Sequence, residues 1–231
     1  MDVFVIPVGP ARYELYCEQP FSADLPATAL DEGLLGRIRR RFEELLRRAE
    51  QWEPPDQVVP RRLFTRLQDR AMAWLAQRVV EQRLLWNLRR ESTVTAVHAD
   101  DLTIEQVHAI VHRLLQQDLD RHKYWVWVDG MLFAVTFVVL GPLFLLIPGI
   151  ANLPAIYFGI RALGHWYSCG GARHGLRSVS WTARSAPPLT ELRDVERFPG
   201  DARERLVHDI ANRLDLRNLA SFYDRVRDAS L

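Results

Sequence analysis

The longest uncharged stretch of this sequence runs from Gly130 to Ile160 and holds 31 residues without Asp, Glu, Lys, Arg or His. Both flanks of the stretch are dense in charged residues, although the whole chain of 231 residues is only 48% apolar and 26% charged. Such a run fits either a membrane hairpin or a helical hairpin buried by the flanking helices of a soluble domain. Its prolines and its basic flanks favour the membrane hairpin.

The uncharged stretch divides into two predicted helices with a proline-rich turn between them. Residues 124–147 contain one charge and would rise about 36 Å as a helix, against a hydrocarbon core of about 30 Å. A returning helix that ends near Cys169 would rise about 25 Å, so it spans marginally or enters as a re-entrant segment. The turn is assigned to Pro148 and Gly149, to Asn152 as N-cap, and to Pro154 in the first turn of the return.

Basic and aromatic residues border both predicted membrane helices. Arg121 and Lys123 precede the first helix, and no acidic residue lies between Gly130 and Thr190. The positive-inside rule then places both ends on the cytoplasmic or matrix side of the membrane. Amphipathic rings prefer this boundary, and the residues found there are Tyr124, Trp125, Trp127, Trp166 and Tyr167. We therefore expect membrane lipid to be a partner.

The rest of the chain is predicted to be helical with a small β-element. Residues 3–8 and 13–17 lie on either side of a Gly-Pro turn and predict a β-hairpin, with residues 93–97 as a candidate third strand. Thr103 begins a capping box that starts a helix toward the uncharged stretch. Apolar periodicity predicts further helices over 31–52, about 60–90, 190–197, 202–214 and 217–227.

These elements together predict a mainly α membrane protein. Its centre is one helical transmembrane or re-entrant hairpin, with cytoplasmic helices and a small N-terminal β-hairpin. The predicted regions are 1–30 (β-hairpin and linker), 31–123 (helical cytoplasmic region), 124–171 (membrane hairpin) and 172–231 (C-terminal helical region).

Three ionisable residues in or beside the uncharged stretch are the functional candidates: Arg161, Asp129 and His165. A hairpin that turns near residue 150 places Arg161 level with Val139, ten residues from Asp129, so we predict that Arg161 and Asp129 do not pair directly. Arg161 then either snorkels or serves ion movement or a second chain. His165 is a candidate proton relay or a residue of the interfacial belt.

The sequence offers no pattern for a metal site, a cofactor or an enzyme. His108 and His112 are four residues apart, but the sequence between them lacks the glutamate of the zincin pattern, and no second Glu-x-x-His follows. Cys17 and Cys169 have no local histidine partner that would indicate a nucleophile, and two scattered cysteines indicate a reducing compartment. A net charge of +1 with interleaved acids and bases excludes nucleic acid as an expected partner.

One segment carries a resemblance to a known family. The stretch "LGPLFLLIPGIANLPAIYFGIRALGHW", preceded by "LLWNLRR", "VHADDL" and "DRHKYWVWVD", resembles the membrane hairpin of the mitochondrial potassium–proton exchange-related family. The resemblance covers residues 84–171, with an echo in the N-terminal "VFVIPVGPARYELYC". It implies an integral membrane protein related to monovalent cation (K⁺)/proton exchange, as component or regulator. The alternative is a membrane anchor or assembly scaffold that transports nothing and works through its helical cytoplasmic part.

Location and assembly follow from the same considerations. The first residues lack a basic segment before an apolar run, and all but one of the 30 basic residues are Arg, so we expect a bacterial inner membrane with the soluble parts in the cytoplasm. The mitochondrial inner membrane, with the soluble parts facing the matrix, is the alternative. Because two helices cannot enclose an ion pathway, we expect a homo-oligomer or association with other membrane proteins.

Overall fold

The computed structural model describes residues 1–9, 11–19, 44, 82–144 and 153–228. The chain divides into two compact units, one made of Met1–Gln19 and Leu84–Leu231 and the other of Pro20–Arg83. The first unit is described below. The predicted helix over 31–52, most of that over 60–90, and the turn residues Pro148, Gly149 and Asn152 lie outside the described residues.

A four-stranded mixed sheet organises the first unit. Its strands are β1 (Asp2–Pro7), β2 (Tyr13–Tyr16), β3 (Thr93–His98) and β4 (Ser180–Ser185), in the spatial order β2-β1-β3-β4. The strands β1 and β2 form the predicted antiparallel hairpin, and β3 pairs parallel to β1 as the candidate third strand. The strand β4 pairs parallel to β3 over six residues and was not predicted.

Two long helices connect β3 to β4. They are α2 (Ile104–Phe144) and α3 (Leu153–Arg177), and Pro154 lies in the first turn of α3. A further helix, α1, precedes β3 and is described over residues 82–88. The predicted capping box is confirmed, because the Gln106 amide donates to Thr103 Oγ1 (3.3 Å) and the Thr103 amide donates to Gln106 Oε1 (2.9 Å). The helices α2 and α3 pack against each other as an antiparallel pair.

Glycine in α3 allows close packing against two neighbouring helices. A Cβ atom at Gly171 would overlap the carbonyl oxygen of Leu85 in α1, so the two backbones can approach only because residue 171 has no side chain. A Cβ atom at Gly175 would lie 3.1 Å from Leu115 Cδ1 of α2. These contacts fix how far α3 slides along its neighbours.

The C-terminal part of the chain covers the sheet. It comprises α4 (Pro187–Glu191), a 3₁₀-helix (Leu192–Arg197), α5 (Gly200–Arg213) and α6 (Leu219–Asp228). Their apolar side chains form one core with the strands, which includes Ile6, Val97, Leu192, Ile210 and Tyr223. The helices predicted near 202–214 and 217–227 are confirmed as α5 and α6.

The predicted fold class, a mainly α membrane protein, is wrong. Among the described residues, no helix is both long and apolar enough to cross a membrane. The uncharged run is divided between the end of α2, residues 145–152 outside the described part, and the start of α3. Within the described helices, its apolar residues are joined to the charged Lys123 and Asp129 in α2 and to Arg161 in α3. In place of a membrane hairpin with a separate β-hairpin, the chain forms a four-stranded mixed sheet that includes that β-hairpin and is connected to the packed helices α2 and α3.

Candidate functional site

A buried carboxylate lies between α2 and α3. Asp129 of α2 has 0% of its surface exposed. Its Oδ2 atom lies 3.2 Å from Nε of Arg161 and 3.5 Å from Nε2 of His165, both on α3. Burial of a carboxylate is costly unless opposite charge or hydrogen bonds compensate it, and here a guanidinium and an imidazole approach one oxygen atom.

A second histidine extends this cluster along α2. His122 Nδ1 lies 2.7 Å from His165 Nδ1, and only 8% of His122 is exposed. Helical spacing explains the meeting, because residues 122 and 129 are two turns apart on one face of α2, while 161 and 165 are one turn apart on one face of α3. We call these four residues, His122, Asp129, Arg161 and His165, the buried cluster.

Aromatic rings enclose the buried cluster. The Trp125 ring is stacked on His165 with centroids 6.2 Å apart. The Arg161 guanidinium lies 5.6 Å from the Trp125 ring and 5.5 Å from the Tyr157 ring, and its Nη1 donates to the Tyr157 hydroxyl at 3.3 Å. Cation–π contact and burial hold the guanidinium in place while its Nε faces Asp129. The arrangement keeps Arg161 only 22% exposed.

The short distance between the two histidines restricts where their protons can be. A bond between two ring nitrogens needs one N–H donor and one lone pair, so a single hydrogen lies between His122 and His165. The carboxylate of Asp129 favours a hydrogen on Nε2 of His165. The cluster can therefore hold and release a proton inside the protein.

The prediction that Arg161 and Asp129 do not pair is wrong. The assumed register was symmetrical about residue 150, whereas the observed pair of residues 129 and 161 is symmetrical about residue 145. The contact between Gly175 of α3 and Leu115 of α2 fits the same register, because residues 115 and 175 are also symmetrical about residue 145. His174, which follows the buried-cluster residue His165 on α3, has a different partner, because its Nε2 contacts the carbonyl oxygen of Glu91 at 3.1 Å.

All three predicted candidates lie in the buried cluster, but His122 was missed. It stands in the charged sequence "DRHKYW", where a histidine looks like a surface residue. The available signal was its spacing of seven residues from Asp129, which places both side chains on the same face of a helix.

The comparisons with known proteins identify the family. The family model described as mitochondrial K⁺-H⁺ exchange-related matches residues 3–179, which is more than half of the chain. The chain belongs to this family. Neither the curated proteins nor the solved structures gave a match. The matched range includes β1 except Asp2, the strands β2 and β3, the helices α2 and α3 and the whole buried cluster.

A separate pair of histidines lies nearer the start of α2. His108 and His112 line a cavity of about 290 Å³ with Val111, Leu115, Gly175, Leu176 and Trp181. The residues around this cavity supply no carboxylate or thiolate beside the two imidazoles. In the described part of the chain, no three His, Cys, Asp or Glu residues are placed to hold a metal ion.

Asp118, on the same helix as Asp129, is a carboxyl group with a raised pKa. The pKa of Asp118 on α2 is raised to about 6, chiefly by burial and also by the negative charge of Glu14 on β2, while Arg121 opposes the shift. Asp118 is therefore partly protonated at mildly acidic pH. It lies on α2 one turn before His122 but contributes no contact to the buried cluster that the distances above define.

Proposed function

We propose that this member of the exchange-related family is a proton-responsive component or regulator of monovalent cation (K⁺)/proton exchange. The carrying observation is the fully buried Asp129, which faces both Arg161 and a histidine that is hydrogen-bonded to a second histidine. Histidine is the side chain whose unperturbed pKa lies closest to neutrality, which makes it the usual proton-responsive group in proteins. Family membership supplies the process in which that response would be used.

The charge balance of the buried cluster favours a regulator over a carrier of K⁺. A potassium ion is bound by several oxygen atoms that replace its hydration shell. Around Asp129 the corresponding position is held by the Arg161 guanidinium, 3.2 Å from the carboxylate. A K⁺ ion would have to displace a cation that is already held by two aromatic rings. We therefore propose that the buried cluster binds the proton and that a partner protein of the assembly binds K⁺.

A flux measurement tests this function. Vesicles are reconstituted with the protein and its co-purified partners, and K⁺-dependent proton flux is followed between about pH 6 and pH 8, the range in which histidine titrates. His165→Phe keeps an aromatic ring but removes the proton acceptor, so the pH dependence of the flux should flatten. His112→Phe, on an exposed position of α2, serves as the matched control and should keep the wild-type profile.

Two results would contradict the proposal. The first is the absence of K⁺-dependent proton flux from the wild-type protein with its partners. The second is a wild-type pH profile in the His165→Phe protein. Either result transfers weight to the second candidate function, an assembly scaffold without transport.

The scaffold candidate is favoured by an exposed apolar stripe on α2. Tyr124, Trp127, Met131 and Val138 are all more than 60% exposed. Their separations of three, four and seven residues are those of a coiled-coil seam, which a second helix normally covers. A second copy of the chain is the proposed occupant, in agreement with the expected homo-oligomer. Light scattering should then show that Trp127→Glu dissociates the oligomer, whereas Gln117→Glu, also on exposed α2 surface, does not.

The place of action is proposed from the family alone. The mitochondrial wording of the family description supports the mitochondrial inner membrane as the site of the exchange process. The bacterial inner membrane, expected from the arginine-rich composition, is the alternative. Fractionation of the source cells with an antibody to the chain decides between them.

A further inference from the structure

We propose that His122 and His165 form a two-residue proton wire that ends at Asp129. In this wire one hydrogen between the rings moves from one nitrogen to the other, so that a proton taken up at His122 appears as a positive charge on His165. The inference rests on the proposed function only for its physiological use. Its chemistry is argued from the geometry of the four side chains.

The resting state follows from hydrogen-bond complementarity. The negative charge of Asp129 Oδ2, 3.5 Å from Nε2 of His165, favours a hydrogen on that nitrogen. The Nδ1 atom of a neutral His165 then has a lone pair, and it faces His122 Nδ1 at 2.7 Å. His122 must donate across this contact, so its hydrogen is on Nδ1. This is the less common tautomer of a free histidine, and it is a specific consequence of the pairing.

Proton uptake can then proceed without any change in the heavy-atom positions. A proton binds to the Nε2 lone pair of His122 and forms an N–H bond there. The hydrogen on His122 Nδ1 moves to His165 Nδ1, which breaks one N–H bond and forms another. His122 ends neutral with its hydrogen on Nε2, and His165 ends as an imidazolium beside the Asp129 carboxylate.

The pair can hold only one extra proton. If both rings were imidazolium ions, two N–H groups would point at each other across 2.7 Å, and like charges would be adjacent in a buried site. The titration of the two histidines is therefore coupled, and the pair takes up one proton where two independent histidines would take up two. This saturation separates a wire from two histidines that happen to be neighbours.

The surrounding charges oppose one another. From α2, the Asp129 carboxylate attracts a positive charge onto His165, while from α3 the Arg161 guanidinium repels it. From the turn that follows α1, the Arg89 guanidinium is stacked over Trp166 and Tyr167, which follow His165 in the chain. The buried Asp129 and Arg161 cancel in formal charge, so an arriving proton is the only net charge in the cluster.

The tautomers can be measured directly. The full-length protein is labelled with ¹⁵N-histidine, and long-range ¹H–¹⁵N spectra report which ring nitrogens carry hydrogen at each pH. The seven histidines are assigned by single substitutions. At high pH we expect His122 with hydrogen on Nδ1 and His165 with hydrogen on Nε2. As the pH falls, His122 should change to the Nε2 tautomer while His165 becomes protonated on both nitrogens.

A variant tests whether the proton passes through His122. His122→Asn keeps an N–H donor near the position of Nδ1 but has no second nitrogen to receive a proton. Solvent exchange of the His165 ring hydrogens should slow by at least about tenfold, as expected when a positioned proton-transfer group is lost. His112→Asn on the same helix is the control and should leave that exchange unchanged.

Three outcomes would overturn the wire: the Nε2 tautomer of His122 at high pH, the uptake of two protons by the pair, or unchanged exchange in His122→Asn. All three are read from the purified protein without any flux measurement. A correct set of tautomers together with a pH-insensitive exchange activity would reject the proposed function and leave the wire standing. Wrong tautomers with pH-sensitive flux would do the reverse.

Discussion

Removing the buried carboxylate should destabilise the protein far more than removing an exposed one. Asp129→Asn keeps the size of the side chain but leaves the Arg161 guanidinium without its counter-charge. Loss of one member of a buried ion pair typically costs about 3–5 kcal/mol. Because Arg161 is 22% exposed, water can compensate part of that charge, and we expect a loss of about 2–4 kcal/mol in the free energy of unfolding.

The exposed pair between Arg213 and Glu191 provides the control. Both guanidinium Nη atoms donate to the carboxylate at 2.8 Å, so its geometry is at least as good as that of the buried pair. Its side chains are 42% and 43% exposed, however, and such pairs contribute only about 0–1 kcal/mol. Glu191→Gln should therefore change stability little. The comparison separates the effect of burial from the effect of bond geometry.

Urea unfolding followed by circular dichroism measures both variants at one pH above neutrality. Urea is chosen because it is uncharged and does not screen ion pairs. The double variant Asp129→Asn with Arg161→Met completes a cycle, and its loss should be smaller than the sum of the single losses by about 1–3 kcal/mol. If Asp129→Asn costs no more than Glu191→Gln, or if the two substitutions are additive, Asp129 and Arg161 are not a buried ion pair.

Three further predictions concern other parts of the fold, each measured by urea unfolding. The folded-state pKa of Asp118 is raised to about 6, so the contribution of this group to wild-type stability should fall as the pH rises from about 4 to 6. Asp118→Asn should therefore raise the free energy of unfolding by about 1–2 kcal/mol above pH 6 and leave it unchanged below pH 4. Equal effects at both pH values would contradict this prediction. Gly171→Ala should lower the free energy of unfolding by about 1–3 kcal/mol, because the new methyl group meets the carbonyl oxygen of Leu85. An unchanged urea midpoint would contradict that contact. Ser168→Ala should cost about 1–3 kcal/mol by removing the acceptor of the buried Trp86 indole at 2.9 Å, whereas a neutral result would mean that this bond contributes nothing net.

Local sequence patterns predicted the elements whose structure depends on local chemistry. The β-hairpin follows from apolar strands around a Gly-Pro turn, and the start of α2 follows from the Thr103 capping box. The strand β4 (Ser180–Ser185) was missed because its sequence, SWTARS, has no alternation of apolar and polar residues that would indicate a strand. Its side chains are exposed or half-buried. Such an edge strand is specified by its partner β3 and not by its own apolar pattern.

The buried cluster shows a different limit of sequence reasoning. Ionisable residues near an uncharged run are conspicuous in a sequence, and this pattern identified Asp129, Arg161 and His165 as candidates. The three side chains are in contact in the structure. Which residue faces which depends on the register of α2 against α3, and no local sequence pattern reveals that register, in which Gly175 lies against Leu115. The membrane prediction went wrong because it considered the uncharged run apart from the charged residues that the fold includes in the same helices, so that no described helix is both long and apolar enough to cross a membrane.

The attachment of α2 and α3 to neighbouring strands has a mechanical consequence. The strand β3 ends at His98 shortly before α2 begins, and α3 ends at Arg177 shortly before β4 begins, so both helices are clamped at one end to adjacent parallel strands. The helix α2 has 41 residues and extends about 61 Å from its clamped end. A tilt of about 5° at the clamped end would move the far tip by roughly 5 Å over this length. Asp129 lies about 38 Å from the start of α2. A charge change at Asp129 that bends the helix would therefore displace the end of α2 that is far from the sheet more than the end beside it.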